Sequence, residues 1–200
     1  MSGFESIIKS ADLRKRILFT LGILAIYRIG VHVPTPGVNG AAITAFFNSS
    51  GAGVFSVLNL FSGGALERFS VFALGIMPYI SSSIIFQLLT AVVPYLEALQ
   101  KEGEHGRKKI NQYTRYGTVA LAIIQGYGIS TFLKHTPSRT QESLVVAPYI
   151  AFIPFEVLTI ITLTAGTCFI MWLGEQITER GIGNGSSLII FSGIAAGIPN

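Results

Sequence analysis

Long apolar runs separated by short polar stretches set the pattern of this chain. Ile17–Val33 is apolar apart from Thr20, Tyr27, Arg28 and His32, and it stops at Pro34-Thr35-Pro36-Gly37. Val71–Val93, Tyr116–Leu133 and Val157–Leu173 carry no charge at all, and a fifth apolar run opens at Ser186 and is still running at Asn200. A bilayer core of about 30 Å takes about 20 helical residues, so each of the first four runs is a candidate span. At such lengths only a helix satisfies its own backbone polar groups in lipid. The fifth run reads as a span cut short, so the chain is expected to be a piece of a longer protein. The predicted fold class is therefore all-α, a polytopic transmembrane helical bundle. A basic segment covers 1–16, and spans follow near 17–33, 71–93, 116–133, 157–173 and, incomplete, 186–200.

Composition narrows the class further. Hydrophobic side chains make up 50% of the 200 residues and charged ones only 12%, with a mean hydropathy of +0.58. Soluble domains carry about 25% charge, so much of this surface must face something other than water. Disorder is excluded, because it needs low hydrophobicity and high net charge. A disulfide framework is excluded too, since Cys168 has no second cysteine to pair with. The net charge of +4 raises nucleic acid as a partner, but its distribution points elsewhere. With the N-terminus placed in the cytoplasm, Lys9, Arg14, Lys15, Arg16, Lys101, Arg107, Lys108, Lys109, Arg115 and Arg180 fall on that side. Only Arg68, Lys134 and Arg139 fall on the other, with Arg28 inside a span. That asymmetry is the positive-inside pattern of a multi-pass membrane protein. The start imitates a secretory signal peptide. However, Arg28 interrupts its apolar stretch and no small-x-small site follows, so an uncleaved first span is expected.

One stretch refuses to be a plain span. Leu58–Ser70 is apolar but too short to cross, holds Gly63-Gly64 and carries Glu67 beside Arg68. Charges against lipid are costly, so these two should face a water-filled cavity, protein or the interface. Gly75 and Pro78 follow, and a proline inside a helix frees the carbonyl four residues back and allows a kink. The expectation is a short half-helix, a bend and a full span lining a cavity; an interfacial helix on the outer surface is the alternative.

Chemistry is sparse. His32, His105 and His135 lie far apart with no metal-ligand spacing, and no catalytic constellation, cofactor motif or metal set is readable, so an enzyme is not expected. Gly181-Ile182-Gly183-Asn184-Gly185 has the wrong spacing, and no strand before it, for a dinucleotide site. Arg28 and Glu156 are expected to snorkel toward the outer interface. The basic connection with Lys101, Arg107, Lys108 and Lys109 either fixes topology or meets anionic lipid or an acidic partner. A gated channel and a secondary transporter with discontinuous helices both fit such breaks. Ile80, Ile84, Ile85 and Phe86 at the middle of the second run favour an apolar constriction over a solute site.

Several segments are more specific. Phe61-Ser62-Gly63-Gly64-Ala65-Leu66 leads into Ala73-Leu74-Gly75-Ile76-Met77-Pro78-Tyr79-Ile80-Ser81. Tyr27-Arg28-Ile29-Gly30 precedes Pro34-Thr35-Pro36-Gly37. Lys101-Glu102-Gly103-Glu104 runs through Arg107 to Tyr113-Thr114-Arg115-Tyr116-Gly117, and Trp172-Leu173-Gly174-Glu175-Gln176-Ile177-Thr178-Glu179-Arg180-Gly181 continues to Gly185. Along essentially its whole length the chain resembles the SecY family, the protein-conducting channels of the Sec translocon, in its bacterial form, with Phe86 and Ser186 as minor variants. The family has ten spans in two pseudosymmetric halves, and this chain would supply the first five.

The resemblance implies a set of roles. Leu58, Phe61, Ser62, Gly63, Gly64, Ala65, Leu66, Glu67 and Arg68 would belong to the plug that closes the pore from outside. The second and third spans would form one side of a lateral gate, with Ser83, Gln87 and Thr90 as gate-lining groups or as ordinary interhelical hydrogen-bonding residues. Ile80 and Ile84, four residues apart, and Ile190 and Ile194, with the same spacing, would be this half's share of a hydrophobic pore ring; without the resemblance they read as packing or lipid-facing residues. Implied partners are small SecE- and SecG-type membrane subunits, the SecA ATPase or a translating ribosome, signal sequences of preproteins, anionic lipids and the second half of the same protein. The loops that dock SecA or the ribosome lie mainly in that second half.

Overall fold

The computed structural model describes residues 11–49, 59, 61–135, 145, 149–150 and 153–197. Seven helices carry the described fold: α1 (Ala11–Gly30), α2 (Gly40–Ser49), α3 (Met77–Val92), α4 (Pro94–Lys101), α5 (Glu104–His135), α6 (Phe155–Arg180) and α7 (Gly185–Gly197). Two-residue strands, β1 (Tyr149–Ile150) and β2 (Ile153–Pro154), pair antiparallel between α5 and α6.

The helices α5 and α6 form the backbone of the bundle. Thirty-two and 26 residues long, they reach about 48 and 39 Å at 1.5 Å per residue, more than a bilayer core needs. Thr114, Thr118, Ala122, Gly126 and Ser130 are all buried on α5. Small residues repeating every four positions lay one flat stripe along a helix and let a neighbour approach closely. The Cα of Ile160 on α6 lies 3.5 Å from where a Cβ on Gly126 would stand. Against the same helix from the other side packs α3, where the buried Ser82 hydroxyl donates to the Thr114 carbonyl at 2.8 Å and Gly117 gives the room this needs. On α6 rest α1 and α7. The close crossing of α6 and α7 depends on Gly185, whose Cβ would stand 1.9 Å from the Gly174 carbonyl oxygen.

Two apolar cores result. One gathers Ile23, Tyr27 and Val31 of α1 with Phe72, Ile76, Ile170, Leu173, Ile177 and Ile189. The other gathers Ala42 and Ile43 of α2 with Phe69, Leu74, Ala122, Leu133, Phe155 and Leu163. The segment 62–76 joins them and contributes to both.

The second apolar run departs from its predicted boundary. The helix begins at Met77 and not near Val71, because Val71–Ile76 is a series of turns in which Gly75 has φ +56°. Pro78 is then a first-turn proline, where its missing N–H costs nothing, so it starts a helix instead of kinking one. The sharp break lies at the other end. Pro94 holds Val93 in extended backbone (φ −95°, ψ 112°), as the residue before a proline prefers, and α4 leaves α3 at 98°. The expected half-helix over 58–70 is also mostly turns: Asn59 and Phe61 are helical, whereas 62–69 are linked turns and Leu58 lies outside the described residues. The sequence reading had no element at α2, which Asn39 caps by accepting from the N–H groups of Ala41 and Ala42 at 3.1 and 3.2 Å.

By length and composition α5 and α6 can each cross a bilayer, and α3 with its bent continuation α4 makes a third candidate. Twenty residues would suffice for α1, but it carries Asp12, Arg14, Lys15, Arg16 and Arg28. At 13 residues α7 is short for a span.

Candidate functional site

The turns that follow Phe61 are held by side chains that replace missing backbone partners. Asn59 and Glu67 hold the loop's base reciprocally: the Asn59 amide donates to the Glu67 carboxylate at 3.0 Å, and the Glu67 N–H donates to Asn59 Oδ1 at 3.0 Å. The Ser62 hydroxyl donates to the Asn59 carbonyl and accepts from the Leu66 N–H. Gly63 and Gly64 take φ of +64° and +83°, a region that costs glycine little. Phe69 takes φ +45° although it has a side chain. Such strain persists only where the surroundings hold it, and here the ring is buried in the second core. The exit of the loop is fixed like an edge strand: the Thr35 N–H donates to the Phe69 carbonyl and the Val71 N–H to the Val33 carbonyl, both at 2.9 Å.

The rest of the loop is held by α1 and α7. Tyr27, 1% exposed, donates its hydroxyl to the Ser62 carbonyl at 3.2 Å. Arg28 Nη1 donates to the Gly63 carbonyl at 3.1 Å. Arg28 therefore points at the loop and does not simply snorkel as the sequence implied. Gly193 of α7 also meets the loop backbone to backbone: a Cβ there would stand 3.2 Å from both the Gly63 nitrogen and the Phe61 oxygen. Glu67 is half-buried against Asn59, and Arg68 is exposed.

The other expected residues distribute as follows. Ser83 and Gln87 pair on the outside of α3, the Gln87 amide donating to the Ser83 hydroxyl at 3.2 Å, while the buried Thr90 hydroxyl donates to the Gln87 carbonyl at 2.6 Å. All three lie along one side of α3. Ile80 and Ile190 both rest at the edge of the first core. Ile84 is 51% exposed and Ile194 half-buried. Lys101 pairs with Glu97 at 2.6 Å, and the Lys101 ammonium holds the Glu97 carboxyl below the usual carboxylate range. Arg107, Lys108 and Lys109 project from the first turns of α5 into solvent. A cavity of about 410 Å³ opens between the loop (Ser62, Leu66), α3 (Met77, Ser81) and α5 (Gln125, Ile129).

Sequence reading missed Tyr27, Asn59, Gly193 and the ion pair of Arg115 with the largely buried Glu175 at 2.7 Å. Arg28, a cation inside an apolar run, was the available signal for the α1 contact. Gly193 gave none, being one glycine among several in an apolar run.

Helices of membrane-spanning length and composition, packed around a non-helical segment held by α1 and α7, define a polytopic helical membrane protein. The SecY family model matches residues 70–200. The protein translocase subunit SecY of Escherichia coli K12 is 53% identical over 188 residues, 94% of this chain and 41% of that protein. The SecY of Streptomyces scabiei is 50% identical over 100% of this chain and 46% of its own length. Among solved structures, one described as a protein conducting channel and the Sec61 of a canine ribosome-channel complex from the endoplasmic reticulum each share the fold at a TM-score of 0.63. At 17% identity, each is matched over 94% of this chain and 38% of the other. This chain belongs to the SecY family, and it spans a little under half the length of these curated relatives.

Proposed function

We propose that the chain is the N-terminal half of a gated, passive polypeptide channel in a bacterial inner membrane, with its N-terminus in the cytoplasm. Such a channel moves unfolded preproteins across the membrane and releases transmembrane segments sideways into lipid. The observation that carries the reading is the loop 59–71. Its irregular backbone packs against α1 and α7 and exchanges hydrogen bonds with α1 and with Val33–Thr35. Irregular backbone at membrane depth is tolerated where it is buried in protein or lines a cavity, and a plug in a pore is such a place.

Within this reading Ile80, Ile84, Ile190 and Ile194 supply one side of a hydrophobic ring. Branched aliphatic side chains dewet a narrow neck and offer an ion no ligand to replace its water. The exposure of Ile84 leaves it free to face the opposite half. Ser83, Gln87 and Thr90 lie on the gate side of α3. Lys101, Arg107, Lys108 and Lys109 face anionic headgroups or an acidic partner. SecE- and SecG-type subunits, SecA or a ribosome, and signal sequences are the partners that this function requires.

The test is the resting ion conductance of the full-length channel in planar bilayers. Deleting Phe61–Arg68 should raise it, and changing Ile84 and Ile190 to Ser should raise it further in the deleted background. If the deletion leaves conductance at the parent level, the loop is not a plug. If the ring variants match the deleted parent, these isoleucines do not form the seal.

A further inference from the structure

Arg28 poses a problem that its neighbours solve in an uncommon way. A guanidinium within an apolar helix is costly unless it is partnered, yet among the described residues no carboxylate stands within ion-pair distance of it. Its hydrogen bond goes to the main-chain carbonyl of Gly63. The residue before it, Tyr27, reaches the preceding carbonyl, that of Ser62. Two adjacent side chains of α1 thus hold two adjacent carbonyls of a turn. Residues 62–64 lie outside any helix; the Ser62 carbonyl also accepts from the Ala65 N–H at 3.3 Å, and the Gly63 carbonyl takes its hydrogen bond from Arg28.

The contact is braced on both sides. Tyr27 stacks on Phe72 with ring centroids 5.9 Å apart, and Phe72 fills the space that Gly30 leaves open on α1. Beside the same corner, Gly193 offers a surface without a side chain. A Cβ on Gly63 would stand 2.8 Å from the Gly193 Cα and 3.0 Å from the Arg28 guanidinium. The loop is pinned at its exit by Thr35 and Val33 and at its base by Asn59 and Glu67. The Ser62–Gly63 corner is where it is held from α1. Hydrogen bonds are short and directional, whereas apolar contacts tolerate sliding. A displacement of about 1 Å between the corner and α1 therefore breaks both bonds together.

We propose that Tyr27 and Arg28 form the latch of the plug: positioning residues on α1 that hold the Ser62–Gly63 corner against the Gly193 seat and set the channel's resting state. The proposal rests on the reading of 59–71 as a plug. It assigns gating control to the first helix through main-chain carbonyls, so the identity of the plug side chains matters less than the two donors. A moving chain that parts α7 from α1 would remove the seat and strain the latch at once.

The experiment measures resting conductance of the full-length channel with its partner subunits in planar bilayers. The variants are Tyr27→Phe, Arg28→Gln, both together, and Arg28→Lys, each in the intact channel and in one lacking Phe61–Arg68. The double variant should raise resting conductance at least about tenfold, the factor expected from losing one to two ordinary hydrogen bonds. Arg28→Lys, which keeps a charged donor, should stay nearer the parent. In the plug-deleted channel the same substitutions should change nothing, a result that general damage to the fold would not give. If deletion raises conductance but the double variant matches the parent, the latch is wrong and the plug reading stands. An equal rise from the double variant in the plug-deleted channel also overturns the latch, because its effect would not pass through the plug. If deletion itself is silent, the plug reading falls and the latch falls with it.

Discussion

The pair α5–α6 and the segment 59–76 sit side by side and solve the same problem in opposite ways. Every backbone group along the middle of α5 and α6 is satisfied within its own helix, so their contact needs only a smooth stripe of small residues, Thr114 to Ser130. Segment 62–76 has no helix before Met77. Its polar groups are met by Asn59, Glu67, Ser62, Tyr27, Arg28, Val33 and Thr35. The first region is stable on local terms and is a scaffold. The second depends on its neighbours for its hydrogen bonds, a property that suits the plug role proposed for it.

Glycine substitutions should separate the two regions most strongly. In Gly166→Ala the new Cβ would stand 2.1 Å from the Val71 carbonyl oxygen, where the turn rests on α6. Backbone must move to admit it, at a cost of about 3 kcal/mol by analogy with overpacked cores, visible as early thermal unfolding in detergent. The second prediction cuts a tie inside the scaffold. Glu175→Gln removes the charge from the Arg115 pair, and the loss should be about 1 kcal/mol, within the range for partly exposed pairs. Gly126→Ala, on the scaffold stripe, places its Cβ at an ordinary 3.5 Å from Ile160. It should be harmless or gain up to about 1 kcal/mol from helix propensity. An equal penalty for Gly126→Ala and Gly166→Ala would erase the distinction between the regions. Smaller still is Thr167→Val. The Thr167 hydroxyl is buried with no hydrogen-bond partner among the described residues, so an apolar isostere should leave stability within about 0.5 kcal/mol or raise it.

The smallest expected effect is electrostatic and local. Lys101 depresses the Glu97 carboxyl, so the pair is intact above the ordinary carboxylate range and is lost as pH falls through the depressed value. In Lys101→Ala, Glu97 should titrate higher by carbon-detected NMR, with no change elsewhere in the fold. An unmoved Glu97 would show that the pair is not formed.

The helical class and the family were legible because apolar runs of spanning length and segments such as Phe61–Leu66 and Trp172–Gly185 leave few alternatives. The boundaries were less so. Val71–Ile76 reads as the start of a span by hydropathy alone, yet Gly75 at positive φ and a first-turn Pro78 place the helix start at Met77. Pro94 after Val92-Val93 was the visible mark of the 98° elbow. Within the candidate site, the loop's glycines and charges were conspicuous, but the contacts that hold it were not. Tyr27 to Ser62 and Arg28 to Gly63 each bridge 35 residues and end on carbonyls, which every residue has. No pattern of side chains in sequence marks such a contact.

Amide hydrogen exchange of the full-length channel in nanodiscs compares the two regions directly. Amides of 62–70 should exchange at least about tenfold faster than those of Thr118–Gly126, and in Tyr27→Phe/Arg28→Gln they should accelerate further while Thr118–Gly126 stays unchanged. Equal protection of the two regions, unmoved by those substitutions, would contradict the account.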